Sequence, residues 1–171
     1  MSIRPATAAD VAALGIIGPA AYAEAYGDWW TTAAGLARHL ASFGAAASAA
    51  LLADPGARVW VAEQQGAVVG FLSLHLDSPD PIRGRASGGE CRRVYLLRAA
   101  MGQGLGRALC DAAVEAARAA GLDHLWLDVM AEAPWAVNAY RAWGFAEIGR
   151  KQFHNALRGD LREMIVMARG V

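Results

Sequence analysis

Cysteine is scarce in this chain of 171 residues, which contains only Cys91 and Cys110. Two cysteines exclude a disulfide framework and a cysteine-based metal site, so we expect both to be small, buried hydrophobic side chains. An excess of one charge is also missing, because 16 basic residues balance 16 acidic ones and the formal net charge is zero. This balance argues against a nucleic-acid-binding protein, which usually carries a basic excess. Lys151 is the only lysine.

Long hydrophobic runs are absent as well. The N-terminal residues 1–5 lack the apolar core of about 7–15 residues that defines a signal peptide. No stretch approaches the roughly 18 consecutive strongly apolar residues of a membrane span, since the run at 45–53 is short, rich in alanine and followed by Asp54-Pro55-Gly56. We therefore expect a soluble, reduced, cytoplasmic protein with no membrane partner.

The composition that is present suits a folded domain. With 56% hydrophobic and 19% charged residues, the chain can bury a full core, and we expect one domain over residues 1–171. Apolar periodicity and turn residues predict the order β, α, α, β, β, β, α, β, α, β, β, typical of one α/β or α+β domain. The predicted elements are a strand at 3–5, helices at 7–26 and 31–53, strands at 58–63 and 67–76, a loop at 77–89, a strand at 91–97, a helix at 104–120, a strand at 124–130, a helix at 134–142, and strands at 145–153 and 161–167 separated by 155–160.

The most informative segment is the glycine-rich turn GQGLGR at 102–107, which precedes a predicted helix. Glycines at alternate positions leave backbone N–H groups uncovered, and the start of a helix adds further unpaired N–H groups with a partial positive charge. Such a turn can bind a diphosphate. A plain tight connection between a strand and a helix would use the same glycines.

Three classes of phosphate-binding turn compete for this segment. A nucleoside-triphosphatase loop needs Gly-Lys followed by Ser or Thr, and this turn has no lysine. A dinucleotide-binding turn needs Gly-x-Gly-x-x-Gly, whereas the third glycine here comes one residue too early, although Asp128 lies where a ribose-binding acid would be expected. The third class is a coenzyme A cradle.

The motifs for that third class are separated along the chain. VYLL at 94–97, GLGRAL at 104–109, and the later Ala136, Tyr140, Arg141, Gly144 and Phe145 at their spacing resemble the GNAT superfamily of N-acetyltransferases. Segments 90–96, 125–129 and 145–167 are similar to bacterial polyamine acetyltransferases of the spermidine/spermine type. The resemblance implies a central mixed, mostly antiparallel sheet of about seven strands flanked by about four helices. It also implies acetyl-CoA as co-substrate, no metal, and a primary amine of a polyamine-like molecule or a peptide as acceptor. A homodimer is left open.

The same resemblance implies a set of cofactor-binding residues. Two positions depart from the family pattern: Met101 stands where Gln or Arg is usual, and Ala133 where Asn is common. Asn138 either reaches the pantetheine from the next helical turn or faces solvent. The implied set is Val94, Leu96, Met101, Gly102, Gln103, Gly104, Leu105, Gly106, Arg107 and Asn138.

Two residues are the candidates for catalysis. Tyr140 could donate the proton that the departing thiolate takes up, or it could be an ordinary core tyrosine. The resemblance places Glu90 where the superfamily often has a glutamate that accepts the proton of the ammonium, commonly through water; alternatively, Glu90 is a surface residue that closes the loop before it.

The acceptor is expected to lie near the first two helices and the loop at 77–89. Aromatic faces and a carboxylate suit an ammonium group, but the two tryptophans could instead anchor the helix joint in the core. His75 and His124 have no metal-like spacing and are expected to be ordinary strand histidines. A non-catalytic acyl-CoA-binding module is the alternative to an enzyme. The candidate acceptor residues are Tyr22, Tyr26, Asp28, Trp29 and Trp30.

Overall fold

The computed structural model describes residues 1–155, 157–159 and 161–171, and over this part of the chain it has seven β-strands and five α-helices. The predicted connection 155–160 includes Ala156 and Asp160, which lie outside the described residues. The strands are β1 (Ser2–Pro5), β2 (Ala57–Gln64), β3 (Ala67–His75), β4 (Gly88–Leu96), β5 (His124–Met130), β6 (Ala146–Gln152) and β7 (Glu163–Gly170). The helices are α1 (Val11–Tyr26), α2 (Ala33–Ala41), α3 (Ala45–Ala53), α4 (Leu105–Ala119) and α5 (Pro134–Ala142).

All seven strands form one sheet in the order β1-β2-β3-β4-β5-β7-β6. Strands β4 and β5 run parallel, and every other neighbouring pair is antiparallel. The parallel pair needs a long crossover, which α4 provides. The prediction of a single mixed, mostly antiparallel sheet of seven strands with helices around it is confirmed.

Helices cover both faces of the sheet. Leu14 and Ile17 of α1 and Leu51 of α3 pack with Val61 and Phe71 on one face. On the other face, α4 packs against the strands through a buried stripe. The buried residues of this stripe are Leu105, Gly106, Leu109, Cys110, Ala113, Val114 and Ala117. Both cysteines are free and buried, as predicted.

The segment predicted as one long helix after Thr32 is divided into α2 and α3. Phe43, which is 3% exposed, turns inward between the two helices and packs against Tyr22 and Tyr95. By length and composition alone, the 21 residues Ala33–Ala53 could cross a membrane, with a hydropathy of 1.3. Each of the two helices has nine residues, whereas a span needs about 20. The composition is therefore weak support for a membrane span.

Strand β1 is joined to the start of the helical layer by an ion pair between Arg4 and Asp10. Asp10 is 5% exposed, and its two carboxylate oxygens each accept a hydrogen bond of 2.8 Å from the Arg4 guanidinium. Arg4 also binds Glu63 of β2 at 2.7 Å. Thr7 donates its backbone N–H to Asp10 at 2.7 Å, as in a capping box. Hydrogen bonding from Arg4 holds the pKa of the Asp10 carboxyl well below its usual range.

The loop before β4 is fastened to the central strands of the sheet. Asp80 is 1% exposed and accepts backbone hydrogen bonds from Ile82 and Arg83. Trp126 of β5 donates its indole N–H to the Ser78 carbonyl at 2.7 Å. These bonds hold the loop where β4 and β5 are paired.

Candidate active site

The parallel strands β4 and β5 are paired over only three residues. Gly88, Gly89 and Glu90 pair with His124, Leu125 and Trp126, and no further pair is formed among the described residues. Beyond this point β4 pairs only with β3, while β5 pairs with β7. The second edge of residues 91–96 therefore carries backbone N–H and C=O groups that no strand satisfies, inside an otherwise continuous sheet.

A β-bulge at Arg92 lies at the point where the strands separate. The register of β3 with β4 shifts here, because Ser73 pairs with Arg93 and the next residue, Leu74, pairs with Cys91. As a result Cys91 and Val94, three residues apart, both pack in the core beneath α4. A bulge adds one residue and bends its strand, which is consistent with β4 turning away from β5 at this position.

A cavity of about 470 Å³ opens along the separated strands. Its walls are mostly apolar and come from both helical layers and from the glycine turn. Because it extends from the start of α4 to the opening between β4 and β5, it is suited to a long ligand with one anionic end. The residues lining this larger cavity are Ala21, Ala25, Tyr26, Val94, Tyr95, Leu96, Ala100, Met101, Gly102, Gly104, Gly106, Arg107, Trp135, Ala136, Ala139, Tyr140 and Trp143.

The glycine turn forms one end of the larger cavity. Gly102 and Gly104 have φ values of 72° and 82°, which L side chains rarely adopt. A Cβ atom at either residue would meet no protein atom within 4 Å, so the space above their backbone is open. Gly104 caps α4 without a side-chain hydrogen bond, and the first N–H groups of α4 therefore remain available to an anion.

Coenzyme A fits these features. Its diphosphate suits the N–H groups of the turn, and Arg107 lines the cavity beside them with its Nε bound to Asp111 at 2.9 Å. Its pantetheine amides suit the unpaired edge of β4 at Val94 and Leu96. Of the other predicted cofactor residues, Met101 lines the cavity, but Leu105 is buried in the core and Gln103 lies outside the cavity, bound to Gln64.

Asn138 is exposed on α5 and lines neither cavity described here. The alternative interpretation, in which it faces solvent, agrees with this position. Its place on the helix explains the result: the cavity-facing residues of α5 are Ala136, Ala139 and Tyr140, and 138 points away from that face.

A smaller cavity of about 170 Å³ adjoins the larger one. The two cavities share four lining residues, Tyr26, Val94, Tyr95 and Tyr140. The smaller cavity is lined by Tyr22, Tyr26, His39, Cys91, Arg92, Val94, Tyr95, Asp128, Val129, Met130, Tyr140, Phe153 and Met164. A molecule in the smaller cavity would therefore meet the end of a ligand in the larger one near Tyr140.

Tyr140 is held by aromatic packing rather than by its hydroxyl. Its ring contacts Trp143 edge-on at 5.3 Å and Phe145 at 6.0 Å. No hydrogen bond of the hydroxyl occurs within the part of the chain that is described. Burial raises the pKa of this phenol well above its ordinary value, so the group remains protonated at neutral pH.

Glu90 lies on β4 close to the smaller cavity but lines neither cavity. Its Oε2 accepts two hydrogen bonds from Arg92, at 2.7 and 3.1 Å, and one from Ser78 at 3.4 Å. The structure therefore places Tyr140 at the junction of the two cavities. Glu90 lies outside both cavities and is bound to Arg92, which lines the smaller one.

The predicted acceptor residues are divided between the site and the core. Tyr26 lines both cavities, and Trp29 packs against it at 5.1 Å. Tyr22 lines the smaller cavity. Trp30 is 6% exposed and belongs to the core, as the alternative interpretation held, while Asp28 is exposed on the surface and lines neither cavity. No residue of the loop 77–89, all of which is described, lines either cavity, because its buried contacts hold it at the paired end of β4.

Several residues that line the two cavities were not predicted from the sequence. Trp143 could have been assigned from helical spacing, since 136, 139, 140 and 143 share one helix face. Trp135 could have been assigned from its position one turn before Ala139 on the same helix. His39, Arg92 and Phe153 could not, because they come from α2, from a bulge and from the segment after β6. His75 and His124 lie on strands β3 and β5, as predicted. Among the described residues, no group of three or more His, Cys, Asp or Glu side chains could hold a metal ion.

Comparison with known proteins gives a consistent result. The acetyltransferase (GNAT) family model matches residues 21–145. A relative from Azospirillum brasilense named IAA acetyltransferase is 34% identical over 98 residues, or 57% of this chain and 60% of that protein. The match thus spans less than two thirds of that relative's length.

Two solved structures resemble the whole chain. The ribosomal-protein-alanine N-acetyltransferase of Brucella melitensis is 27% identical with a TM-score of 0.76, and the match covers 100% of both chains. The protein yncA of Salmonella typhimurium, solved with its cofactor acetyl-CoA, is 25% identical with a TM-score of 0.71 and covers 99% of this chain and 93% of that one.

Proposed function

The chain belongs to the acetyltransferase (GNAT) family, and on that premise we propose that it transfers the acetyl group of acetyl-CoA to the primary amine of a small molecule or a peptide. The observation that carries this proposal is the position of Tyr140, which lines both the larger and the smaller cavity. A residue at this junction can contact the reacting atoms of a donor in one cavity and an acceptor in the other.

The larger cavity is the proposed site of the donor. The turn from Met101 to Arg107 would bind the diphosphate mainly through backbone N–H groups, and Val94 and Leu96 would pair with the pantetheine as an added strand. Acetyl-CoA supplies an acyl thioester when bound. One N–H group of the β4 edge would polarise the thioester carbonyl, because that edge has no strand partner.

Tyr140 is the proposed proton donor. As the amine nitrogen forms its bond to the acyl carbon and the bond from that carbon to sulfur breaks, the Tyr140 hydroxyl would give its proton to the departing sulfur, and the phenolate would take up the proton that the nitrogen loses on becoming an amide. The buried surroundings that raise the pKa of the phenol also disfavour a thiolate. Burial thus raises the pKa of the phenol and that of the departing thiol together, which keeps proton transfer from Tyr140 to the sulfur feasible.

The acceptor must lose a proton before it can attack. An alkylamine has a pKa near 10.4, so it arrives as an ammonium ion at neutral pH. Glu90 stays the predicted proton acceptor. Since Glu90 lines neither cavity, it would act through water, and its Oε1 makes no hydrogen bond to the described residues.

The experiment that tests this function is the substitution Tyr140→Phe. Because the hydroxyl makes no hydrogen bond within the described chain, we expect the melting temperature and the affinity for CoA to remain unchanged. We expect kcat for acetyl transfer, followed as free thiol, to fall by about 10²–10⁴-fold.

A core role for Tyr140 would give the opposite pattern, with a lower melting temperature and nearly normal kcat. A protein that binds CoA but releases no thiol with any amine would instead be an acyl-CoA-binding module. The open junction between the two cavities favours the enzyme, because a binding module has no need of an acceptor cavity next to the thioester.

A further inference from the structure

The smaller cavity has an apolar part and a charged part. Tyr22, Tyr26, Tyr95 and Phe153 form its aromatic walls. Its volume of about 170 Å³ is below the range of about 300–1,000 Å³ that is usual for drug-sized ligands. A single small molecule therefore matches it better than a long chain does.

Arg92 is the cation in the wall of this cavity. Glu90 fixes one edge of the guanidinium, because both Nε and Nη2 donate to the same Glu90 oxygen, at 3.1 and 2.7 Å. Nη1 makes no hydrogen bond to any described residue, and the side chain is 50% exposed. The guanidinium thus presents its free N–H groups in a fixed orientation, which is the arrangement that binds a carboxylate.

Asp128 is the anion in the wall. It lies on β5, is 27% exposed, and pairs through Oδ2 with Lys151 of β6. Its Oδ1 makes no hydrogen bond within the described chain, so it can accept one from an ammonium group. His39 also lines the cavity, but burial lowers the pKa of its imidazole, which leaves it neutral at pH 7.

We propose that the acceptor is an amine that also carries a carboxylate, of the size of one free amino acid, with its carboxylate on Arg92 and its ammonium on Asp128. This inference rests on the proposed function, and it names the substrate class of the same site. The aromatic and methionine side chains of the cavity would contact the apolar part of the molecule.

The charges of the smaller cavity distinguish a free amino acid from a polyamine and from a peptide N-terminus. Arg92 with Glu90 and Asp128 with Lys151 form two ion pairs whose total charge is zero. A polyamine brings two or more positive charges, one of which would share the cavity with Arg92 and be repelled. A peptide N-terminus has an amide in place of the adjacent carboxylate and would leave the free edge of Arg92 without a partner.

Acetyl transfer to three matched acceptors tests the inference. L-leucine, L-leucinamide and spermidine are each supplied with acetyl-CoA, and free thiol is measured to obtain kcat/KM. The amine of leucinamide is the less basic of the first two and is more often neutral at pH 7, so intrinsic reactivity favours the amide. We nevertheless expect leucine to be preferred by about 10–100-fold, the usual effect of a hydrogen-bonded ion pair.

The substitution Arg92→Gln separates a specific contact from a general effect. We expect it to abolish the preference, because it should raise KM for leucine by about 10–100-fold more than KM for leucinamide. Arg118→Gln is the matched control, because Arg118 is an exposed arginine at the end of α4 whose one ion-pair partner among the described residues is Glu115, and it should retain the preference.

Faster transfer to leucinamide or spermidine by the unaltered protein would overturn the inference and leave the proposed function intact. So would an Arg92→Gln protein that still prefers leucine. No thiol release with any of the three acceptors, by a protein that binds CoA, would overturn both.

Discussion

Gly104 provides a sharp test of the proposed diphosphate site, because the chain contains a control with the same backbone geometry. Gly104 has a φ of 82° and Gly66, in the hairpin between β2 and β3, has a φ of 79°. A Cβ atom would meet no protein atom within 4 Å at either position. The substitutions Gly104→Ala and Gly66→Ala therefore impose the same backbone strain and no clash, but only the first places a methyl group in the larger cavity.

The expected cost in stability is the same for both variants. A left-handed conformation costs an L-residue about 1–2 kcal/mol, and the stiffer unfolded chain of the alanine variant offsets about 0.4–1 kcal/mol of this. The free energy of unfolding should thus fall by about 1 kcal/mol in each. This loss is measured by denaturation in urea.

The expected effect on ligand binding differs between the two. If the methyl group at 104 displaces one hydrogen bond between an N–H group and a phosphate oxygen, the loss is about 1.5–3 kcal/mol. At about 1.4 kcal/mol for each factor of ten, Kd for CoA should rise by about 10–100-fold in Gly104→Ala and stay unchanged in Gly66→Ala. Calorimetry that finds one affinity for both proteins would refute the assignment of the turn as the diphosphate site.

Two further predictions concern the cofactor turn and the N-terminal ion pair. Met101 lines the larger cavity and is 47% exposed, so Met101→Arg should tighten CoA binding, more at low salt than at high salt; an affinity that is unchanged at both would contradict this placement. Since Arg4 lowers the pKa of Asp10, this pair stabilises the fold at pH values above about 3.9, the ordinary carboxyl value, and the contribution is lost as the pH falls through the lower folded value. Asp10→Asn should therefore reduce the free energy of unfolding at pH 7 by about 1.5–3 kcal/mol, and the difference from the unaltered protein should shrink below about pH 4. A difference that stays constant from pH 7 to pH 2 would be incompatible with this account.

The parts of the fold that the sequence predicted well are those with local signals. Strand β5 and helix α5 have the predicted bounds, because a run of branched and aromatic residues defines the first and Pro134 at the first turn defines the second. Gly121 ends α4 in the left-handed conformation, with a φ of 71°. The break between α2 and α3 was not predicted, because an alanine-rich stretch has no clear hydrophobic periodicity whose interruption would mark the end of a helix. The turn depends on the contacts of Phe43 with Tyr22 and Tyr95, which are distant in the sequence.

At the candidate site, too, features with a local sequence signal were predicted and features that depend on distant contacts were not. The glycine turn is a local motif, and Tyr140 is set by the spacing of one helix, so both were predicted and both line the larger cavity. The smaller cavity brings together α1, α2, β4, β5 and β7, and β4 has a bulge at Arg92, where it lines this cavity. Neither the bulge nor the association of these elements has a signal in a single sequence. Asp28 and the loop 77–89 line neither cavity, since a composition that suits an acceptor does not determine where a residue lies in the fold.

The small overlap between the two cavities has a consequence for how this protein can diverge. Their described lining residues coincide only at Tyr26, Val94, Tyr95 and Tyr140. In the proposed function the donor side relies on main-chain groups, which most point mutations cannot remove, whereas the acceptor side relies on individual side chains. A duplicated copy of the gene could therefore lose one acceptor and gain another by a few exchanges in the smaller cavity, while inheriting the donor site intact.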